Sequence, residues 1–126
     1  MTLPGLDPLI HAPVRLQVCA ILSAVDEGEF AMVREETGVS ESVLSKQVKL
    51  LADAGYVKVR KASLAEARYQ LDARKLGAKK AHQGGFSLRP RTWLSLTPAG
   101  RQAFAAHMQA LTRLAETAAA GVATPG

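Results

Sequence analysis

The chain has 126 residues, of which 48% are hydrophobic, so it fits one domain with a modest core. Its one cysteine, Cys19, excludes an intrachain disulfide, and its few aromatic residues favour helices packed through Leu, Val and Ala. The sequence has neither the start of a signal peptide nor a run near the roughly 18 apolar residues of a membrane span. These features predict a cytoplasmic, mainly α-helical protein in which Cys19 is a small apolar core residue.

The net charge of +5 is unevenly distributed along the chain. Ten of the sixteen Lys and Arg residues lie between Lys58 and Arg91, together with only two of the eleven acidic residues. Such a basic segment is typical of an arm that contacts nucleic-acid phosphates. A solvated surface or a disordered loop accounts for the same charges equally well, so the segment alone does not decide.

Two helices are predicted in the first quarter of the chain. Asp7 can cap a helix N-terminus with its side chain, and Pro8 follows where its missing N–H does no harm. Pro13 precedes a second run, which continues to Val25 with apolar residues at helical spacing. A very short strand is expected at residues 29–30.

Residues 30–55 carry a helix-turn-helix pattern, which is the main sequence evidence for function. A first helix is predicted over residues 31–36, and Gly38 follows it as a C-terminal cap. Ser40 can accept hydrogen bonds from backbone N–H groups two or three residues later, so it is the predicted cap of a second helix, 41–54.

The second helix of this pattern has two faces with different chemistry. Leu44, Val48 and Leu51 follow the i, i+4, i+7 spacing of one buried stripe. A helix that buries one side and presents small polar and basic side chains on the other suits the major groove of DNA. At 100° per residue, the side opposite the buried stripe carries Ser42, Lys46, Lys49 and Asp53.

Residues 56–96 are predicted to form a β-hairpin wing. Strands are expected at 56–60 and 92–96, where apolar and polar residues alternate. The segment between them, 62–87, is far longer than a hairpin loop needs. We expect a short helix from Leu64 to Leu76 followed by a flexible basic stretch, with disorder of the whole segment as the alternative.

The last predicted helix belongs to a C-terminal segment, 97–120, that ends in a frayed tail, 121–126. Thr97 is its expected cap and Pro98 its first helical residue. The terminal helices carry more apolar surface than one small domain can bury, which predicts a homodimer. The predicted dimer contacts are Leu9, Ile10, Phe104, Met108, Leu111 and Leu114.

A helix-turn-helix, a strand, a basic loop, a second strand and a long helix follow one another in the order of a winged helix domain. The stretch ETGVSESVLSKQVKLLADAGYVKVRK, followed by RPRTWLSLTPAGRQAF, resembles winged helix transcriptional regulators close to the MarR and ArsR groups. The resemblance covers most of residues 7–115 and implies a winged helix-turn-helix with terminal dimerisation helices. It also implies a homodimeric regulator, more often a repressor than an activator. In those regulators the wing passes directly from its first strand to its tip. The inserted segment 62–87 departs from this pattern.

Double-stranded DNA is the predicted partner. Groove contacts are expected at Ser42, Val43, Lys46 and Gln47, because Lys can donate to guanine, Gln can pair with adenine and Val can touch a thymine methyl. An ordinary solvated helix surface is the alternative for each of these residues. The remaining predicted contacts, to phosphates or the minor groove, are Ser40, Lys49, Lys58, Arg60, Lys61, Arg89 and Arg91.

No catalytic constellation is visible, so the chain is not expected to be an enzyme or to need a cofactor or metal. Its three histidines are scattered, and His11 and His107 are expected on helix surfaces or at a subunit contact. Two other functions stay open, a sequence-independent nucleic-acid binder and a winged helix that binds only proteins. The sequence identifies neither an operator nor a small-molecule effector.

Overall fold

The computed structural model describes residues 5–62 and 91–123. Within these ranges the chain is mainly α-helical with one small antiparallel sheet, as the sequence predicts. The predicted helix from Leu64 to Leu76 and the basic stretch after it lie outside the described residues. The elements of the described chain are α1 Pro8–His11, α2 Pro13–Ser23, β1 Gly28–Glu29, α3 Phe30–Thr37, α4 Glu41–Asp53, β2 Val57–Lys61, β3 Thr92–Leu96 and α5 Pro98–Ala123.

The sheet has three strands in the order β1-β3-β2, so β3 lies in the centre. β2 pairs with β3 from Val57 opposite Leu96 onwards, which is the predicted wing hairpin. β1 pairs with the other edge of β3 and places Glu29 opposite Trp93. The sequence predicts this short strand but not its partner, because two residues carry too little pattern to indicate a register.

The core lies between the helix-turn-helix, the N-terminal helices and the sheet. Leu44, Val48 and Leu51 of α4 are buried, which confirms the predicted stripe. Cys19 is fully buried in α2, and this burial, with a smaller contribution from the charge of Asp7, raises the pKa of its thiol to about 11. Cys19 is therefore an uncharged core residue, as predicted. The other members of the core cluster are Ile10, Val18, Leu22, Val33, Val57, Leu94 and Leu96.

The end of α4 and the start of α5 are joined by backbone contacts, which we call the α4–α5 junction (Gly55, Tyr56, Thr97 and Gly100). The Thr97 hydroxyl donates to the Gly55 carbonyl at 2.6 Å and accepts from the Gly100 N–H at 2.9 Å. The Thr97 N–H donates to the Tyr56 carbonyl at 3.0 Å. A Cβ at Gly100 would lie 2.1 Å from that carbonyl oxygen, so only glycine fits there.

Two helix ends differ from the sequence prediction. The second predicted helix ends at Ser23 rather than Val25. α5 continues to Ala123, so residues 121–123 are helical where a frayed tail was expected. The alanine-rich run before Gly121 has high helix propensity, which carries the helix through that glycine.

His107 is completely buried, so the prediction that it lies on a helix surface or at a subunit contact is wrong. α1 packs against α5 and brings the start of the chain onto this ring. The Asp7 N–H donates to His107 Nδ1 at 3.0 Å, and His107 Nε2 lies 3.3 Å from His11 Nδ1. Burial is tolerated because both ring nitrogens have partners.

These contacts fix the protonation state of His107. Nδ1 accepts from a backbone N–H and therefore carries no proton, so the proton of the neutral ring is on Nε2. Burial, and then the neighbouring His11, lower the pKa of His107 from its ordinary value of 6.5, against a smaller opposite effect of Asp7. The Asp7 carboxylate itself accepts from the Tyr56 hydroxyl at 2.6 Å.

The lowered pKa of His107 makes stability depend on pH. The unfolded chain binds a proton near pH 6.5 and the folded chain only at lower pH, so the free energy of unfolding should fall as pH drops below about 6.5. One such group gives a slope of at most about 1.4 kcal/mol per pH unit. Urea unfolding between pH 8 and pH 5 measures this slope. His107→Gln, which cannot titrate, should reduce it, and an unchanged slope in that variant would contradict the assignment.

Candidate nucleic-acid interface

α4 is held by its buried face and exposes the start of its opposite face. The Ser40 hydroxyl accepts from the Val43 N–H at 3.2 Å, which confirms Ser40 as the cap of this helix. Ser42 and Lys46 are exposed, and Val43 is 41% exposed on the flank. Because Leu44, Val48 and Leu51 anchor the helix in the core, these N-terminal side chains are presented in a fixed orientation.

The basic residues of α4 differ in their surroundings. Lys46 forms no ion pair with any residue in the described part of the chain. Lys49 forms a pair with Asp53 at 3.1 Å, but both side chains are largely exposed. Such a pair contributes little to stability and exchanges readily for another anion. Both lysines are therefore available to a phosphate or a base edge.

Gln47 has a partner that the sequence analysis missed. Its Oε1 accepts from Arg15 Nη1 at 2.6 Å, and Arg15 Nε donates to the Leu9 carbonyl at 2.5 Å. Arg15 is the one charged residue in the otherwise apolar and neutral α2, and this was the signal available in the sequence. This contact connects α4, the predicted recognition helix, to α1 and α2.

Two arginines in the described part of the wing are paired with acidic residues of the chain. Arg60 donates to both carboxylate oxygens of Glu27 at 2.9 Å, and its guanidinium lies 6.0 Å from the centre of the Trp93 ring. This hydrogen bonding holds the pKa of the Glu27 carboxyl below its ordinary value. Arg91 lies 3.4 Å from Glu29. These acids reach the wing because β1 pairs with β3.

Lys58 and Lys61 are exposed on β2 and form no ion pair within the described ranges. Lys61 and Lys49 line the same groove of about 400 Å³, which opens between α4 and the sheet. One lysine of the helix and one of the wing strand therefore lie on the same side of the molecule. Arg89, the remaining predicted contact, lies outside the described residues.

Comparison with known proteins agrees with this architecture. A family model for a winged helix DNA-binding domain matches residues 14–71 and 71–115. The chain belongs to this family. A solved structure is similar in fold: it is described as that of the transcriptional regulator homologue protein from Pyrococcus horikoshii OT3, and its TM-score is 0.64. The two sequences are 17% identical, and the alignment covers 86% of each chain. No curated protein matches.

The winged helix fold predicted from the sequence is thus confirmed, while the MarR and ArsR subgroup stays a prediction. In the described part of the winged helix chain, no helix is long and apolar enough to span a membrane. In the same ranges, no group of three His, Cys, Asp or Glu side chains is arranged as a metal would require.

Glu27→Gln should strengthen binding to any DNA duplex. The change removes a negative charge beside the wing and leaves one neutral carbonyl oxygen where Arg60 now donates to two carboxylate oxygens, so residue 27 holds the guanidinium less strongly. We expect the affinity to rise about threefold or more at low salt, and the gain to shrink at high salt because exposed charges are screened. Fluorescence anisotropy of a labelled duplex measures both effects.

Glu116→Gln is the matched control, because it changes the net charge equally in the exposed last part of α5. It should leave the affinity nearly unchanged. Equal gains in the two variants would show that total charge, and not the wing, governs the effect.

Proposed function

We propose that the protein is a sequence-specific transcriptional regulator that binds duplex DNA as a homodimer. The observation that carries the proposal is α4, whose buried face is fixed in the core and whose opposite face presents Ser42 and Lys46 to solvent. The family to which the chain belongs is a DNA-binding domain. The fold of a protein described as a transcriptional regulator homologue gives further support.

The geometry of B-DNA suits an exposed helix of this kind. Its major groove is about 12 Å wide and admits one α-helix, whose N-terminal residues then meet the base edges. Lys46 can donate to guanine, and Val43 can touch a thymine methyl. Ser40 and the first N–H groups of α4 suit a phosphate, because a helix N-terminus attracts anions.

The wing is proposed to bind the backbone or the adjacent minor groove. Lys58 and Lys61 are exposed cations on β2, and Lys49 extends the same basic side onto α4. Arg60 and Arg91 form ion pairs with Glu27 and Glu29. In this proposal they contact DNA either while keeping these pairs or after exchanging the carboxylates for DNA phosphates. Arg89 completes the set expected from the sequence.

The proposed dimer surface lies on α5. Met108 and Leu114 are 40% and 47% exposed. Phe104 and Leu111 are half-buried on the same helix, as is Leu9 on α1. Ile10 is completely buried in the core of its own subunit, so the proposed surface leaves this predicted contact out.

Two-fold pairing would place two α4 helices about 34 Å apart, one turn of DNA, and requires a pseudo-palindromic operator. A dimer on such an operator would compete with the transcription machinery for the same DNA. Repression is therefore the proposed mode of regulation, in agreement with the MarR and ArsR resemblance. The finer assignment to that group is part of the proposal.

Selection of bound duplexes from a random library tests the function. A regulator should enrich one two-fold symmetric sequence and prefer it to random duplex by about 10³ or more. Lys46→Ala should weaken the selected duplex by about tenfold or more and relax the preference at one position of each half-site. A preference below about tenfold in the wild-type chain would instead support a sequence-independent binder.

Lys58→Ala is the control within the same experiment. A phosphate contact carries no sequence information, so this variant should weaken all duplexes by a similar factor and reduce the salt dependence of binding. Identical behaviour of the two variants would contradict a base contact by Lys46.

Light scattering tests the homodimer. At about 10 µM the wild-type chain should have about twice its monomer mass of 13.4 kDa. Met108→Asp places a charge in the proposed surface and should give monomers, because an unpaired buried charge is costly. Gln102→Asp lies on the side of α5 opposite Leu111, at an exposed position, and should remain dimeric. A monomeric wild-type chain would contradict the proposal.

A further inference from the structure

We infer that Arg15 determines the base preference of Gln47 by holding its carboxamide oxygen, so that Gln47 presents hydrogen-bond donors and prefers guanine to adenine. The inference rests on the proposed function. It adds Arg15, which lies outside the recognition helix α4, to the residues that determine base preference. It also changes the expectation from sequence, in which Gln47 pairs with adenine.

The guanidinium of Arg15 is fixed at two points. Its Nε donates to the Leu9 carbonyl of α1 at 2.5 Å, and its Nη1 donates to Gln47 Oε1 of α4 at 2.6 Å. Both side chains are half-buried, which limits their alternative rotamers. Arg15 forms no ion pair with any acidic residue of the described chain, so no carboxylate competes for these donors.

The chemistry of arginine fixes which end of the amide faces it. A guanidinium has five N–H donors and no acceptor, so only the oxygen of Gln47 can make this contact. The oxygen and nitrogen of a glutamine amide are otherwise easily interchanged, and their orientation follows from the partners. The short contact to a cation is stronger than one between neutral groups.

The nitrogen of the same amide remains available. Gln47 Nε2 has no hydrogen-bond partner in the described part of the chain. Among the described residues, every buried side-chain polar atom except Trp93 Nε1 has a hydrogen-bond partner. Since Gln47 Nε2 has no partner and is not that atom, it is not buried. The Nε2 of Gln47 therefore reaches solvent, on the turn of α4 that carries Val43 and Lys46.

This orientation distinguishes two bases in the major groove. A free glutamine pairs with adenine by donating to N7 and accepting from the N6 amino group. Here an adenine amino group that approached Oε1 would also lie beside the Arg15 guanidinium. Two hydrogen-bond donors would then face each other, which is unfavourable. Guanine presents two acceptors, N7 and O6, and suits the donors of Gln47 and the positive charge behind them.

Selection from the random library, repeated with variants, tests the inference. The wild-type chain should select guanine at one position of each half-site, and Gln47→Ala should lose the preference at that position alone. Arg15→Met removes the donor, so the ratio of guanine to adenine there should fall at least about tenfold. Arg15→Lys restores a cation without acceptors and should recover guanine.

Thermal unfolding of each variant by circular dichroism verifies that it is folded. If Arg15→Met is unfolded, the comparison of the wild type with Gln47→Ala and Gln47→Glu tests instead whether Gln47 donates to guanine. Glu at this position keeps the Arg15 contact but has no donor, so the preference should change from guanine to cytosine. An adenine preference in the wild type, or an unchanged base in Gln47→Glu, would overturn the inference.

Different results would contradict the role of Arg15 and the proposed function. If Arg15→Met is folded, weakens all duplexes equally and keeps the wild-type base, Arg15 contacts only phosphate and the inference alone is wrong. If the wild-type chain selects no sequence at all, the proposed function fails as well.

Discussion

The α4–α5 junction is the constraint on which the rest of the structure depends. The Thr97 hydroxyl and N–H bind the carbonyls of Gly55 and Tyr56, and Gly100 lets the first turn of α5 approach that backbone. The Tyr56 hydroxyl then donates to the Asp7 carboxylate, which also caps α1. This junction thus sets the position of α4 relative to both α1 and α5. For a dimer built on α5, it would also set the direction of α4 towards DNA.

Electrostatic interactions add to this arrangement, because some cationic side chains of the described chain form ion pairs with acidic residues and others do not. β1 brings Glu27 and Glu29 to Arg60 and Arg91, whereas Lys46 and Lys58 form no ion pair in the described chain. Paired arginines can hold the wing on the domain, while the free lysines are the ones ready to meet phosphates and bases. Arg15 belongs to neither class, because its charge is directed at a neutral amide of α4.

Much of this architecture was predictable from local sequence. The buried stripe of α4, the Ser40 cap and the two wing strands follow from periodicity and capping, which act over a few residues. The remaining features depend on residues far apart in the chain. The contact of Arg15 with Gln47 spans 32 residues, and that of Asp7 with His107 spans 100. No local pattern indicates which distant side chains meet, so the sequence alone predicts a helix surface or subunit contact for His107, a dimer contact for Ile10 and no partner for β1.

If the exposed N-terminal face of α4 contacts DNA bases, its amides should respond when DNA binds. Titration of the ¹⁵N-labelled chain with its selected duplex, followed by NMR, measures this response. We expect the largest chemical-shift changes at the amides of Ser42, Val43 and Lys46, smaller and salt-dependent changes on β2, and none at the exposed end of α5. Changes confined to β2, with α4 unaffected, would contradict base contacts by α4.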